Sequence, residues 1–252
     1  RALRAALLER LPAERRRVSH HLIDVVELSE PFDAAQFTRL AHTAAKEIQS
    51  RGRVPILCGG TEAPICRICI EGYGASGALS RGNGASASRP FDRTRDGFVL
   101  SEGACILVLE DYMSAVKRGV KIYGEITGYG NTTDAFHQTK PSSEGESRAI
   151  SMAIDEAGLK PDDIDFINAH GTSTPLGDKT ETEAVKLSFG RKAGHIPITS
   201  IKSLTGHMLA ASGALEAAFT LMSMREGIIP PTVNLKERDP ECDLDYVTET
   251  RK

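Results

Sequence analysis

Two histidines carry the first hint of chemistry. His170 stands in the run Asn168-Ala169-His170-Gly171-Thr172-Ser173-Thr174-Pro175-Leu176-Gly177-Asp178, directly after the apolar stretch of DDIDFINAH. A strand there delivers His170 at its C-terminal tip, where α/β proteins place functional groups. Gly171 lets the chain turn sharply, and Thr172 and Thr174, two positions apart, point the same way in extended chain. Such a hydroxyl pair suits an amide- or phosphate-bearing ligand arm, although a Thr-rich turn after a strand is also a common structural device. His207 closes the run Ser200-Ile201-Lys202-Ser203-Leu204-Thr205-Gly206-His207 and opens an apolar stretch. At a helix N-terminus it meets the positive end of the dipole, which disfavours the imidazolium. A neutral imidazole is a hydrogen-bond donor, and two of them suit a developing oxyanion. Lys202 adds a positive charge beside them. Metal binding competes poorly, since no third ligand has a compelling spacing.

The rest of the chain must hold these groups. It has 252 residues, 40% apolar and 26% charged, with 31 Lys+Arg against 34 Asp+Glu. That excludes a disordered polymer, a collagen-like repeat and a disulfide scaffold. No run approaches the ~18 apolar residues of a membrane span, and the Arg-rich start is unlike a secretory signal. A soluble, cytoplasmic protein is expected. Residues 1–58 carry 10 basic and 7 acidic side chains, the remainder 21 and 27. This change of sign hints at a junction, and neither balance argues for nucleic acid. Arg15–Arg16–Arg17 reads as a solvated helix face. Five scattered cysteines (Cys58, Cys66, Cys69, Cys105 and Cys242) suggest buried thiols in a reducing compartment. Cys66 and Cys69 have metal- or redox-like spacing, but a core-facing pair on a helix is the favoured reading.

Strands alternate with helices, which predicts an α/β protein with a largely parallel sheet. Helices are expected near 34–50, 63–79, 112–119, 146–158, 180–188 and 207–226. Strands are expected at 97–111 and 121–130, in DDIDFINAH, and in IPITSIK. Helices rich in Ala, Gly and Ser all round imply more than three layers.

From Gly59 to about Val247 the chain resembles the β-ketoacyl-acyl carrier protein synthases, the discrete condensing enzymes of fatty acid synthesis. GGTEA (59–63), SRPFDRTRDGFVLSEGACILVLE (88–110), NAHGTSTPLGD (168–178), SIKSLTGH (200–207), IPPTVNL (229–235) and DPECDLDYV (239–247) carry the likeness in the family's order. The resemblance implies a thiolase-like layered fold, here incomplete. It implies that His170 and His207 bind a thioester carbonyl while a malonyl group loses carbon dioxide, with Lys202 beside them and Glu181 as the acidic partner of Lys202. Thr172 and Thr174, with His137 and Thr139 of TDAFHQTKP, would line the phosphopantetheine channel. No cofactor is expected, because phosphopantetheine arrives on the acyl carrier protein, the implied partner. A homodimer is implied by complete relatives. The family's nucleophile is a cysteine at a strand-to-helix elbow upstream of GGTEA, and none of the five cysteines has that setting. Gly77 stands where relatives often carry a basic residue that docks the carrier.

Residues 1–61 resemble a different family, the tRNA dimethylallyltransferases, through His20–His21–Leu22–Ile23–Asp24 and VPILCGGT. No GxxxxGK[ST] phosphate loop occurs in this sequence, so prenyl transfer to tRNA is the weaker reading. Both families place a buried strand before Gly-Gly-Thr. A seam is therefore expected there, with a fragment of one family over 1–58 and a synthase-like partial domain over 59–252. As an isolated chain it is expected to be unable to complete a condensation, and a non-catalytic fusion product is the other alternative to the synthase reading.

Overall fold

The computed structural model describes Lys46 and residues 56–109, 111–134 and 140–252. His137 and Thr139 lie outside the described residues, as does the helix expected at 34–50 apart from Lys46. The chain divides into two compact units, one of residues 1–58 with 106–123, the other of residues 59–105 with 124–252. Among the described residues the first unit holds α2 (Tyr112–Arg118), followed by Lys121 over the ring of Tyr123 at 5.0 Å. Strands β1 (Ile56–Glu62) and β2 (Gly103–Leu109) pair with each other.

The second unit positions the candidate groups. β3 (Ile167–Asn168) and β4 (Ile198–Thr199) run parallel, with Ile167 opposite Ile198 and Asn168 opposite Thr199. Residues 245–247 extend the array, since Ile198 donates to the Asp245 carbonyl and Val247 donates to that of Ile198, both at 2.9 Å. The two strands are far shorter than the apolar runs suggest: β3 stops two residues before His170, and β4 stops three residues before Lys202, where IPITSIK ends. Over them packs α4 (Pro175–Phe189), which begins five residues earlier than its apolar pattern indicates. The cause is local: Pro175 occupies the first helical position and the Thr174 hydroxyl accepts the Gly177 N–H at 3.2 Å. Its buried face is Asp178, Thr182, Val185 and Phe189, a helical spacing. Phe91, Ile154, Ile196, Ile198, Leu244 and Tyr246 complete the core, and the Phe91 and Tyr246 rings stack at 4.0 Å.

Three expectations are corrected. Residues 121–130 form no strand, because among the described residues the sheet pairs are β1–β2 and β3–β4 alone. The segment instead presses on α3 (Ser143–Glu156), and a Cβ at Gly130 would lie 1.8 Å from the Ala149 carbonyl oxygen. Cys66 and Cys69 do not face a core: Cys66 is exposed, Cys69 partly so, and α1 (Arg67–Ala75) buries no residue. The helix expected from 207 begins at α6 (Ser212–Glu226). Residues 207–211 are diverted because the His207 N–H donates to the Val99 carbonyl at 2.7 Å and Ser101 returns the bond at 3.1 Å.

Candidate active site

His170 leaves the tip of β3 with its backbone anchored on both sides. Its N–H and that of Gly171 each donate to Glu181 at 2.7 Å, one to each carboxylate oxygen. Gly171 has φ +40°, and a Cβ there would meet the Ser200 Cβ at 2.6 Å, so the sharp turn requires glycine. The His170 carbonyl accepts from Lys202 Nζ at 2.6 Å, and the same ammonium lies 3.4 Å from His170 Nδ1. An ammonium only donates, so Nδ1 accepts and the ring proton sits on Nε2.

Lys202 begins the four-residue helix α5 (Lys202–Thr205) and is 1% exposed. Its ion-pair partner is Glu216 on α6. This corrects the assignment of that role to Glu181, whose oxygens are committed to the backbone of His170 and Gly171. Burial raises the Glu216 carboxyl and the Lys202 charge pulls it back. Glu216 was legible in principle, being the only charged side chain from 203 to 224 apart from the histidine. An isolated carboxylate in so apolar a helix calls for a buried partner.

His207 faces His170 edge to face, with ring centroids 5.4 Å apart at 86°. Phe98 backs it at 5.3 Å. The Leu209 N–H donates to His207 Nδ1 at 3.2 Å; Leu209 takes φ +44° to do so, a costly backbone state for a leucine. Nδ1 is again the acceptor and Nε2 carries the proton. Burial, then Lys202, holds the His207 imidazolium down to about 4. His170 is exposed on one side, yet the protein packed behind it, then Lys202, then His207 lower it to about 3. His207 also lies at the N-terminal end of the 3-10 turn Leu209–Ala211 that leads into α6, where the Leu209 N–H points at its ring. The result is two adjacent neutral imidazoles, each a donor through Nε2.

The Thr172 and Thr174 hydroxyls do converge, 3.0 Å apart. Thr174 spends its oxygen on capping α4, which leaves Thr172 the freer of the two. Asp178 accepts the N–H groups of Phe91 and Ser173 at 2.7 and 3.0 Å, locking the SRPFDR segment to α4. Cys242 is buried, and desolvation raises its thiol. Among the described residues no group of three His, Cys, Asp or Glu is arranged to hold a metal, and no helix is long and apolar enough to cross a membrane.

A neighbouring carboxylate gives a pH signature. Burial, with Glu181 and then Asp134 adding to it, pushes Glu146 up to about 7. A carboxyl raised on folding contributes stability below its unfolded value and loses it as pH rises through the folded one. Glu146→Gln should therefore gain about 2 kcal/mol at pH 8.5 and nothing at pH 4, less than the full shift because the side chain is only partly buried. Urea denaturation at both pH values checks this; an equal gain at both would refute it.

Residues 123–236 match the family described as Beta-ketoacyl synthase, C-terminal domain, and residues 9–71 match IPP transferase. The chain is 50% identical over 208 residues to 3-oxoacyl-[acyl-carrier-protein] synthase 2 of Synechocystis sp., covering 81% of this chain and 50% of that protein. The Staphylococcus aureus protein of the same name is 50% identical over 207 residues, with 81% and 51% covered. Among solved structures, a β-ketoacyl synthase from Burkholderia phymatum superposes with TM-score 0.74 at 40% identity, over 84% of this chain and 52% of that one. A type II PKS ketosynthase, bound to a hexaketide and in complex with its acyl-carrier protein, gives TM-score 0.76 at 37% identity, over 84% and 54%. The chain thus spans about half the length of the curated relatives it matches.

Proposed function

We propose, from the premise that the matched part of this chain is a β-ketoacyl-acyl carrier protein synthase II-type condensing-enzyme segment of thiolase-like fold, that it carries the decarboxylating half of a condensing site. The observation that carries this reading is the pair of adjacent neutral imidazoles, each accepting at Nδ1 and so left to donate through Nε2. A malonyl thioester would place its carbonyl oxygen between them. Cleavage of the bond to the carboxylate releases carbon dioxide and moves the electron pair into an enolate, whose oxygen the two donors stabilise. Taking up one proton gives an acetyl thioester; attack of the enolate carbon on an acyl thioester carbonyl, with its C–S bond broken and the thiolate released, gives the Claisen product.

Condensation needs an acylated cysteine. The residues preceding the synthase-type segment match another family, and none of the five cysteines stands in the small-residue sequence setting of the family's elbow. The reading is therefore decarboxylation without condensation by this chain, with acyl carrier protein as its partner, phosphopantetheine delivered by that partner, no cofactor of its own, and a cytoplasmic setting. Thr172 and Thr174, together with His137 and Thr139, would line the channel for that arm. Pairing as in a homodimer belongs to the same reading.

Incubating the full chain with malonyl-acyl carrier protein tests it. Mass spectrometry should show acetyl-carrier protein forming, with no acyl group on any cysteine. Turnover no faster than that of a His170→Ala/His207→Ala chain would overturn the reading, and stoichiometric acylation of a thiol would overturn the missing nucleophile. The pH dependence is specific. Because both imidazolium forms lie well below the ordinary histidine value, near 3 and 4, the rate should stay level from about pH 8 to 5 and fall only near pH 4. An acid limb centred near 6.5 would mean that the histidines titrate as free imidazoles.

A further inference from the structure

The Leu209 N–H is not the only group on His207 Nδ1. Ser212, the first residue of α6, is 6% exposed, and its hydroxyl oxygen lies 3.1 Å from Nδ1. The same oxygen accepts the Met208 N–H at 3.0 Å. A hydroxyl has one proton to give and two lone pairs. With Met208 donating to the oxygen, the Ser212 proton is free to go to Nδ1. Two donors then meet on one ring nitrogen: the Leu209 N–H does not tolerate a proton there, and the hydroxyl gives its own proton only while Nδ1 is bare. We infer that Ser212 is a positioning residue for His207: its hydroxyl donates to Nδ1, sets the ring rotation, and holds the tautomer that carries its proton on Nε2.

The value of this bond to chemistry rests on the reading of His207 as an oxyanion donor, but the bond itself can be tested without any reaction. The charged and titratable groups around the ring are Lys202 from α5, itself paired with Glu216 of α6, and His170 from the end of β3. Those groups set the electrostatic background. Ser212 adds a directional constraint, because protonating Nδ1 would oppose the new N–H to that of Leu209 and force the hydroxyl to turn away.

Long-range nitrogen–proton spectra of the full chain, labelled in its histidines and assigned with His207→Gln, read the ring directly. In the native chain Nε2 should be protonated and Nδ1 bare but shifted by hydrogen bonding. In Ser212→Ala the Nδ1 resonance should move toward that of a non-bonded nitrogen. The His207 titration midpoint should rise by about half a pH unit to one unit, the equivalent of one net hydrogen bond. Ser212→Thr keeps the hydroxyl and should restore both values. Ser212→Cys fills similar space with a weaker donor and should give a smaller shift in the same direction, which keeps the test open if the alanine variant does not fold. A native ring protonated on Nδ1 would overturn the inference outright, as would variants that leave both the resonance and the midpoint unmoved. The expected spectra alongside absent decarboxylation would sink the proposed function and leave this inference standing.

Discussion

Replacing Lys202 by methionine should lower the stability of the chain by about 3 to 5 kcal/mol, the range for removing one partner of a buried ion pair. The ammonium is almost fully enclosed, while the Glu216 side chain keeps only 17% of its surface. Methionine nearly fills the vacated space, so the loss comes from electrostatics and hydrogen bonding and owes little to a cavity. Glu216 would be left as an unpaired carboxylate in an apolar helix, and the His170 carbonyl would lose its 2.6 Å donor. Lys202→Met/Glu216→Leu separates the two losses. It removes the stranded charge and should recover all but about 1 kcal/mol, the share of the carbonyl without its donor. Urea denaturation of both variants gives the cycle. A single variant within about 1 kcal/mol of the native chain would show that the pair is solvated and not structural. The same substitution should raise both histidine midpoints, since the Lys202 charge disfavours each imidazolium.

Much of this site was legible in residue types. The apolar runs of DDIDFINAH and IPITSIK contain the two short strands, and His170 and Lys202 follow them at the same end of a parallel pair. What sequence patterns could not supply was the partner of Lys202. Glu181 and Glu216 are both acidic, both on helices, and both near Lys202 in the fold. Only the commitment of the Glu181 oxygens to two successive backbone N–H groups separates their roles. The strand expected over 121–130 fails for a different reason: a strand needs a neighbour, and Gly128 and Gly130 serve close approach to α3. Cys66 and Cys69 look apolar in context, yet α1 leaves both at least partly exposed. Periodicity reports which faces resemble one another, whereas burial depends on what packs against them.

Replacing His207 by alanine should slow malonyl-carrier protein decarboxylation by about 10²- to 10³-fold, the usual cost of one preorganised oxyanion donor. The enolate oxygen gains its charge only as the carboxylate leaves, so the lost bond is stronger in the transition state than in the bound substrate. The fall should therefore appear in kcat, with KM little changed. His207→Gln should do better than alanine, because its amide can set an N–H near the position of Nε2 while keeping contact with Phe98. Removing His170 as well should cost less than the product of the single effects, since two donors on one oxygen act as a unit. Thermal melting of each variant guards against a folding artefact: His207 packs on Phe98 at 5.3 Å, and losing that contact alone would lower stability and not the turnover of the folded fraction. If His207→Ala retains decarboxylation within about threefold, His207 is a packing residue and the stabilising donor must be sought elsewhere.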